Sequence, residues 1–423
     1  MLRLFKKKRP RLEQQSTVES AELLTKTSIA LDDVMNLVVF LRDRTGIHFT
    51  LEDAPLTRCD SLVHLVLQEQ SLPIEAAEAF CLWLISPILD LRLKKEHNPF
   101  IVVQKWEQLC FMYTEAPEKE ISESEPVLML QRDVFLTRQD EQKIIDERIL
   151  FYLYHEAKYN VNMARYILNE EDYHTLAGYQ AIITFGVYDK VIHKLSEYKS
   201  NLDKFYPVHM YLTSRCTFLR GSHSTPCEQS FMDAHIKISK AHGDSPINLK
   251  DYYKKYLHLL WTYPFYGGAF FSGSVEAKTN RLRRLISTPV MKITLCINTD
   301  GVSIFNKQKP EFLLYVPYSQ LSWHYKDEPW DGDNDPLPTL MLQFLTDEQS
   351  NDAAGRPVTK LLQVFSREAK LMNALIETCV NKKLAFGNES DFVDNLSDIT
   401  EKRVLNKLDR MTMETFTQEG EPL

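Results

Sequence analysis

The sequence predicts an α+β protein of three consecutive lobes, and three observations carry that prediction. The hydrophobic period switches from two to 3.6 and back to two along the 423 residues. Turn chemistry cuts the first and last thirds into short apolar segments, as strands require. The apolar content of 44%, beside a charged content of 26%, is enough to fill a core in each lobe. The expected classes are a small ubiquitin-like β-grasp, a helical bundle resembling acyl-CoA-binding proteins, and a pleckstrin/phosphotyrosine-binding-type sandwich closed by one helix.

The first lobe is expected over residues 33–115, after a basic arm, 1–32, expected to lack structure. "VMNLVVFLRDRTGIHFTL" predicts a hairpin that turns at Asp43 to Gly46 and then alternates Ile47, Phe49 and Leu51. "CDSLVHLVLQEQ" predicts a helix capped by Asp60 or Ser61, with Leu62 and Val66 facing inward. "FCLWLI" and "LDLRLK" supply two more strands. Strand, strand, helix, strand, strand is the order of a β-grasp.

The second lobe is expected over 125–261. "DERILFYLYHEAKYN" gathers Ile149, Leu150, Leu153 and Ala157 on one helical face. "SPINLKDYYKKYLHLLW" offers Ser245 as cap, Pro246 at the first helical position, and a stripe of Leu249, Tyr252, Tyr256 and Leu260. The third lobe, 264–383, shows seven short strands from "PFYGGAFFSGSV" to "KLLQVF". A helix follows, capped by Ser366 and striped by Met372, Leu375, Ile376 and Cys379. The polar, mostly acidic tail, 384–423, is expected to lack structure.

"WTYPFYGGAFFSG" (261–273) holds six aromatic residues and three of the chain's 13 glycines. A phosphate loop would need Lys and Ser/Thr after its last glycine, whereas Ser274 and Val275 follow Gly273. The stretch is therefore expected to be a seam, where aromatics bury the helical lobe against the sandwich and glycines admit close backbone approach. A net charge of −8 argues against a nucleic-acid binder. Seven scattered cysteines without a C-x-x-C suit reduced thiols. No apolar run reaches the roughly 18 residues of a membrane helix.

β-grasp, bundle and sandwich in that order form the three-lobed FERM arrangement. "LWLISPILDLRLKKEHNPF", "LQRDVFL", "YHEAKYNV" with "ARY", "YPFYGGAFFSG", "LSW" and "VTKLLQVFSREAKLMNALIETC" resemble the FERM domain-containing protein 8 family, and more distantly the Krev-interaction-trapped proteins. The resemblance covers roughly 33–383. It implies a non-enzymatic, membrane-associated cytoplasmic adaptor, peripheral at the plasma membrane, that binds cytoplasmic regions of membrane proteins. It points to iRhom pseudoproteases, in support of the cell-surface sheddase complex, and to the LRP-type Wnt co-receptor. The alternative is a small-GTPase effector or a phosphoinositide-dependent recruitment scaffold.

Candidate sites follow from side-chain chemistry. An exposed sheet edge beside the C-terminal helix can take an extended peptide as an added strand. That edge is assigned to Leu321, Ser322, Trp323, His324 and Tyr325, with Leu371, Met372 and Leu375 on the helix; Trp323, Met372 and Leu375 also fit core roles. The cleft between first and third lobes, used in Krev-type relatives, is a second possible surface. Lys278, Arg281, Arg283 and Arg284 form a cation cluster suited to anionic phospholipid headgroups, or equally to a solvated hairpin. Cys216, His223, Cys227 and His235 lack the tight pairing of structural zinc ligands. "DGDNDP" (331–336) misses the glycine and the terminal carboxylate of a calcium loop. No motif offers a catalytic nucleophile or base at working spacing, so neither metal nor other cofactor is expected.

Overall fold

The computed structural model describes residues 35–52, 54–215, 225–243, 245–278, 289–327, 337–345, 358–386 and 406–417. It divides into two compact units, Met1–Glu156 and Ala157–Leu423.

The first unit holds a five-stranded sheet: β1 (Met35–Phe40), β2 (Gly46–Leu51), β3 (Phe80–Ile85), β4 (Asp90–Arg92) and β5 (Val127–Arg132), in the order β2-β1-β5-β3-β4. The hairpin forms where expected. Leu41 N–H bonds Thr45 O at 2.9 Å, the Asp43 carboxylate accepts Thr45 N–H at 3.0 Å, and Arg44 takes the positive φ that the reversal requires. Ile47, Phe49 and Leu51 are buried, while His48 faces solvent. Helix α1 (Cys59–Glu69) buries Leu62 and Val66 completely. Its expected cap is corrected. The helix starts at Cys59 with Arg58 as cap residue and no capping side chain, and the Asp60 carboxylate accepts the next amide, Ser61 N–H, at 2.7 Å.

The first lobe does not end at 115. After three short helices, α2 (Pro99–Gln104), α3 (Trp106–Tyr113) and α4 (Glu118–Ser122), the chain returns as β5. This strand runs parallel to β1, with Val39 opposite Leu128, and antiparallel to β3. "VLMLQR" is a central strand flanked on both sides, so it lacks the alternation that marks a half-exposed one. The Asp133 carboxylate then takes a two-pronged bond from Arg92, at 3.0 and 2.6 Å, tying β4 to the end of β5.

Helices α5 (Arg138–Gln142) and α6 (Glu147–Asn162) follow, and the division between units falls inside α6. Ile149, Leu150, Leu153 and Ala157 are all buried. In the second unit, α7 (Glu170–Phe185) packs against both α11 (Cys227–His242) and α12 (Leu249–Trp261), after the shorter α8 (Leu195–Ser200), α9 (Leu202–Phe205) and α10 (Val208–Arg215). A Cβ on Gly178 would lie 3.1 Å from the Ala234 backbone, so the glycine sets how closely α7 and α11 approach. The expected start of α12 is corrected: it begins at Leu249, not at Pro246. The Ser245 carbonyl is instead held by His242 Nε2 at 2.8 Å, in the turn that follows α11. Tyr252, Tyr256 and Leu260 are buried as expected, but Leu249, in the first turn, is exposed.

The third lobe contains the seven expected strands: β6 (Ala269–Glu276), β7 (Val290–Ile297), β8 (Gly301–Asn306), β9 (Glu311–Pro317), β10 (Leu321–Lys326), β11 (Thr339–Leu345) and β12 (Thr359–Phe365). They hydrogen-bond in the order β10-β11-β12-β6-β7-β8-β9. Helix α13 (Ala369–Phe386) packs on β10, β11 and β7. The Ser366 hydroxyl accepts Glu368 N–H at 3.0 Å and donates to Ser272 O at 2.6 Å, closing the turn that leads into the helix and fastening that turn to β6. The expectation for the tail is corrected in part: residues 414–416 form a thirteenth strand, β13 (Glu414–Phe416), paired with β12. Three residues are too few for a periodic signal, and the partner strand supplies the order that composition does not.

The seam is built as its sequence implies. The Tyr166 ring lies 5.6 to 6.1 Å from those of Phe265, Tyr266 and Phe270, and its hydroxyl accepts Gly267 N–H at 2.9 Å. Tyr263 donates to the Asp172 carboxylate, and Phe265 reaches Phe305 in the sandwich at 5.2 Å. A Cβ on Gly268 would collide with Cys296 Sγ. Asn298 donates to Pro264 O at 2.7 Å and Tyr266 O at 3.0 Å while accepting the amides of Asp300 and Gly301.

Candidate functional site

β10 enters the sheet after Pro317 and a single 3₁₀ turn, Tyr318–Gln320. It pairs antiparallel with β11 from Leu321 opposite Phe344 to Lys326 opposite Thr339, and the sheet order ends with it. In an antiparallel pair alternate residues aim both backbone groups at the partner, so the intervening ones aim theirs outward. Half of β10's amides and carbonyls therefore face away from β11, along an edge that no described strand occupies. The side chains alternate as well. Leu321 is buried and Trp323 and Tyr325 are half-buried, while Ser322, His324 and Lys326 are exposed.

Helix α13 lies beside this edge. The Trp323 indole Nε1–H donates to Asn373 Oδ1 at 3.1 Å, and Asn373 Nδ2 donates onward to Glu377 Oε1 at 2.8 Å. This relay fixes the tryptophan against the helix and leaves its ring partly open. Leu371 and Leu375 are half-buried. Met372 is corrected: with 0% exposure it belongs to the core with Ile376 and Cys379, because its place on the helical stripe turns it under the sheet. Leu321, 8% exposed, contributes backbone more than side chain. Burial pushes the Cys379 thiol up to about 12, so it is an inert core thiol. The strand and helix thus place the outward side of the terminal strand next to the half-buried Trp323, Leu371 and Leu375. Added strands of extended chain join sheet edges of this kind.

The other expected sites fare differently. Lys278 is exposed, and its backbone N–H bonds Arg410 O at 3.1 Å. Arg281, Arg283 and Arg284 lie outside the described residues, as do Cys216, His223 and the "DGDNDP" loop. Of the four candidate zinc ligands, His235 is committed elsewhere: Nδ1 meets the Tyr198 hydroxyl at 2.7 Å and Nε2 meets Gly186 O at 2.8 Å. Burial lowers its pKa to about 4 and raises that of Cys227 to about 12. Among the described residues no three His, Cys, Asp or Glu side chains converge as a metal site would need. Asn373 escapes sequence reasoning altogether. Its position one residue after Met372, on the flank of the helical stripe, is the signal that would have found it.

Comparison with known proteins agrees with this anatomy. A family model for the FERM central domain matches residues 139–271, and one for the KRIT1/FRMD8 FERM domain C-lobe matches 291–375. The chain is 31% identical to human FERM domain-containing protein 8 over 352 residues, 82% of this chain and 73% of that protein. It is 33% identical to the Danio rerio protein of the same name over 355 residues, 82% and 72% of the two chains. Among solved structures it resembles the C-terminal MyTH4-FERM domain of human myosin 7b, in complex with harmonin-a PDZ3, with a TM-score of 0.53 at 13% identity over 83% of this chain. A Dictyostelium discoideum myosin VII MyTH4-FERM MF2 domain gives 0.52 at 13% identity over 82%. This chain spans 61% and 60% of those two structures, and at such identity they establish the fold alone.

Proposed function

The chain belongs to the FERM domain-containing protein 8 family, and on that premise we propose that it is an adaptor whose β10 edge captures a cytoplasmic segment of a membrane protein by strand addition. The observation that carries this reading is the terminal place of β10 in the sheet, next to the half-buried Trp323, Leu371 and Leu375. Main-chain bonds along a sheet edge supply affinity, and pockets for alternate side chains supply selectivity. The family resemblance points to the N-terminal cytoplasmic regions of iRhom pseudoproteases, with the sheddase complex downstream, and to the LRP-type Wnt co-receptor. The adaptor then works at the inner face of the plasma membrane and carries out no chemistry itself.

The test is capture of tiled iRhom cytoplasmic peptides by the full-length chain. Leu371→Glu with Leu375→Glu is expected to weaken capture by about tenfold or more, since a charge placed in the apolar strip opposes burial of the guest. Thermal unfolding is expected to shift little, because both side chains already touch water. Unchanged capture by this variant contradicts the assignment. Nucleotide-dependent retention of a Rap-type GTPase, with no peptide captured, would favour the effector alternative.

A further inference from the structure

Residues 406–417 cross the third lobe where its sheet is least continuous. β6 and β12 pair at a single position, Ser274 opposite Phe365. Away from that point the tail bonds to both strands. Met411 bridges Ala277, Thr412 N–H donates to Glu276 O at 2.8 Å, and β13 pairs with Thr359–Leu361 of β12. The start of the segment reaches the opposite end of the sheet order. Lys407 N–H donates to Leu313 O of β9 at 2.7 Å, and Asn406 Oδ1 accepts Tyr315 N–H at 3.0 Å. The Lys407 ammonium lies 2.7 Å from Glu311 Oε1, with the Arg410 guanidinium at 3.8 Å.

One side chain of the segment is fully buried, Met411 at 2% exposure; the others from 406 to 417 are exposed or half-buried. A core strand would bury every second residue. This segment instead has the make-up of a bound peptide, with backbone bonds for adhesion, one apolar anchor and two cations on Glu311 to set register.

We propose that the slot bounded by β9, β6 and β12 is a peptide-binding site separate from the β10 edge, and that the chain's own residues 406–416 are its displaceable occupant. The chemistry recognised is that of the occupant: two basic residues three apart facing Glu311, a methionine next to the second, and a short extended run. Covalent attachment gives the resident segment an effective concentration on the order of millimolar, so a free peptide of this kind enters readily only when the tail has left. The proposal stands independently of the adaptor reading, since it uses neither β10 nor α13.

The test titrates a fluorescent synthetic peptide of residues 406–417 into two full-length proteins, the wild type and a Lys407→Glu/Met411→Asp variant whose own tail has lost its anchor and the nearer of its two cations on Glu311. Anisotropy is expected to report binding to the variant about tenfold or more tighter than to the wild type. A peptide carrying the same two substitutions is expected to bind neither. Equal binding to both proteins, or none to a cooperatively folded variant, overturns the proposal. If the variant does not fold, the segment is an inseparable part of the lobe, which also overturns it.

Discussion

Asn298 carries much of the seam with one amide group. It is 3% exposed, and its side chain joins two carbonyls of the 264–266 segment to two amides of the turn before β8. Asn298→Ala is expected to destabilise the protein by about 2–4 kcal/mol, because the buried groups it satisfies lose their partners; denaturant unfolding measures this. His235 makes a second prediction. Its folded pKa, about 4, lies below the ordinary 6.5, so the folded state disfavours the protonated ring. The stability this contributes is fully present above pH 6.5 and is lost as pH falls from 6.5 towards 4. His235→Gln is expected to flatten the stability–pH curve across that window, as read by chemical denaturation at several pH values. Gly268 was legible in the sequence, since a glycine amid aromatics announces close approach. Asn298, Asn373 and His235 were not, because a lone polar residue has no period and each has at least one partner more than thirty residues away.

At the scale of elements, Ser366 joins two functions. Ser366→Ala removes both the bond to Glu368 N–H in the turn before α13 and the bond to Ser272 of β6. The expected cost is about 1–2 kcal/mol, with faster amide exchange in the first turn of α13 as a second readout. The elements legible in advance were those with one wet face: the β1–β2 hairpin, α12 and the alternating strands of the sandwich. β5 falls inside the bounds expected for the second lobe because a central strand alternates weakly and its neighbours lie about ninety and fifty residues upstream. β13 was invisible because three residues in a polar tail become a strand only through β12. The Ser366 hydroxyl engages the turn just before α13, not an amide of the helix itself. The caps expected at Asp60 and Ser245 fail because arginine or asparagine can occupy the cap position when the neighbouring turn takes the backbone groups.

At the scale of the whole molecule, the family and the order of lobes were readable because they are written in several segments at once. The groove was readable as a strand and a helix, but not residue by residue. A helical stripe gives Met372, Leu375 and Ile376 the same signal, and packing alone decides which of them stays at the surface. The reading of the whole chain as an adaptor depends on the β10 edge being free to gain a partner strand. Hydrogen exchange of the full-length protein, with and without a saturating iRhom-derived peptide, tests this most directly. The expected result is new protection within Leu321–His324, at the amides facing away from β11, with β11 itself unchanged. Protection confined to other segments while β10 exchanges as before would contradict it.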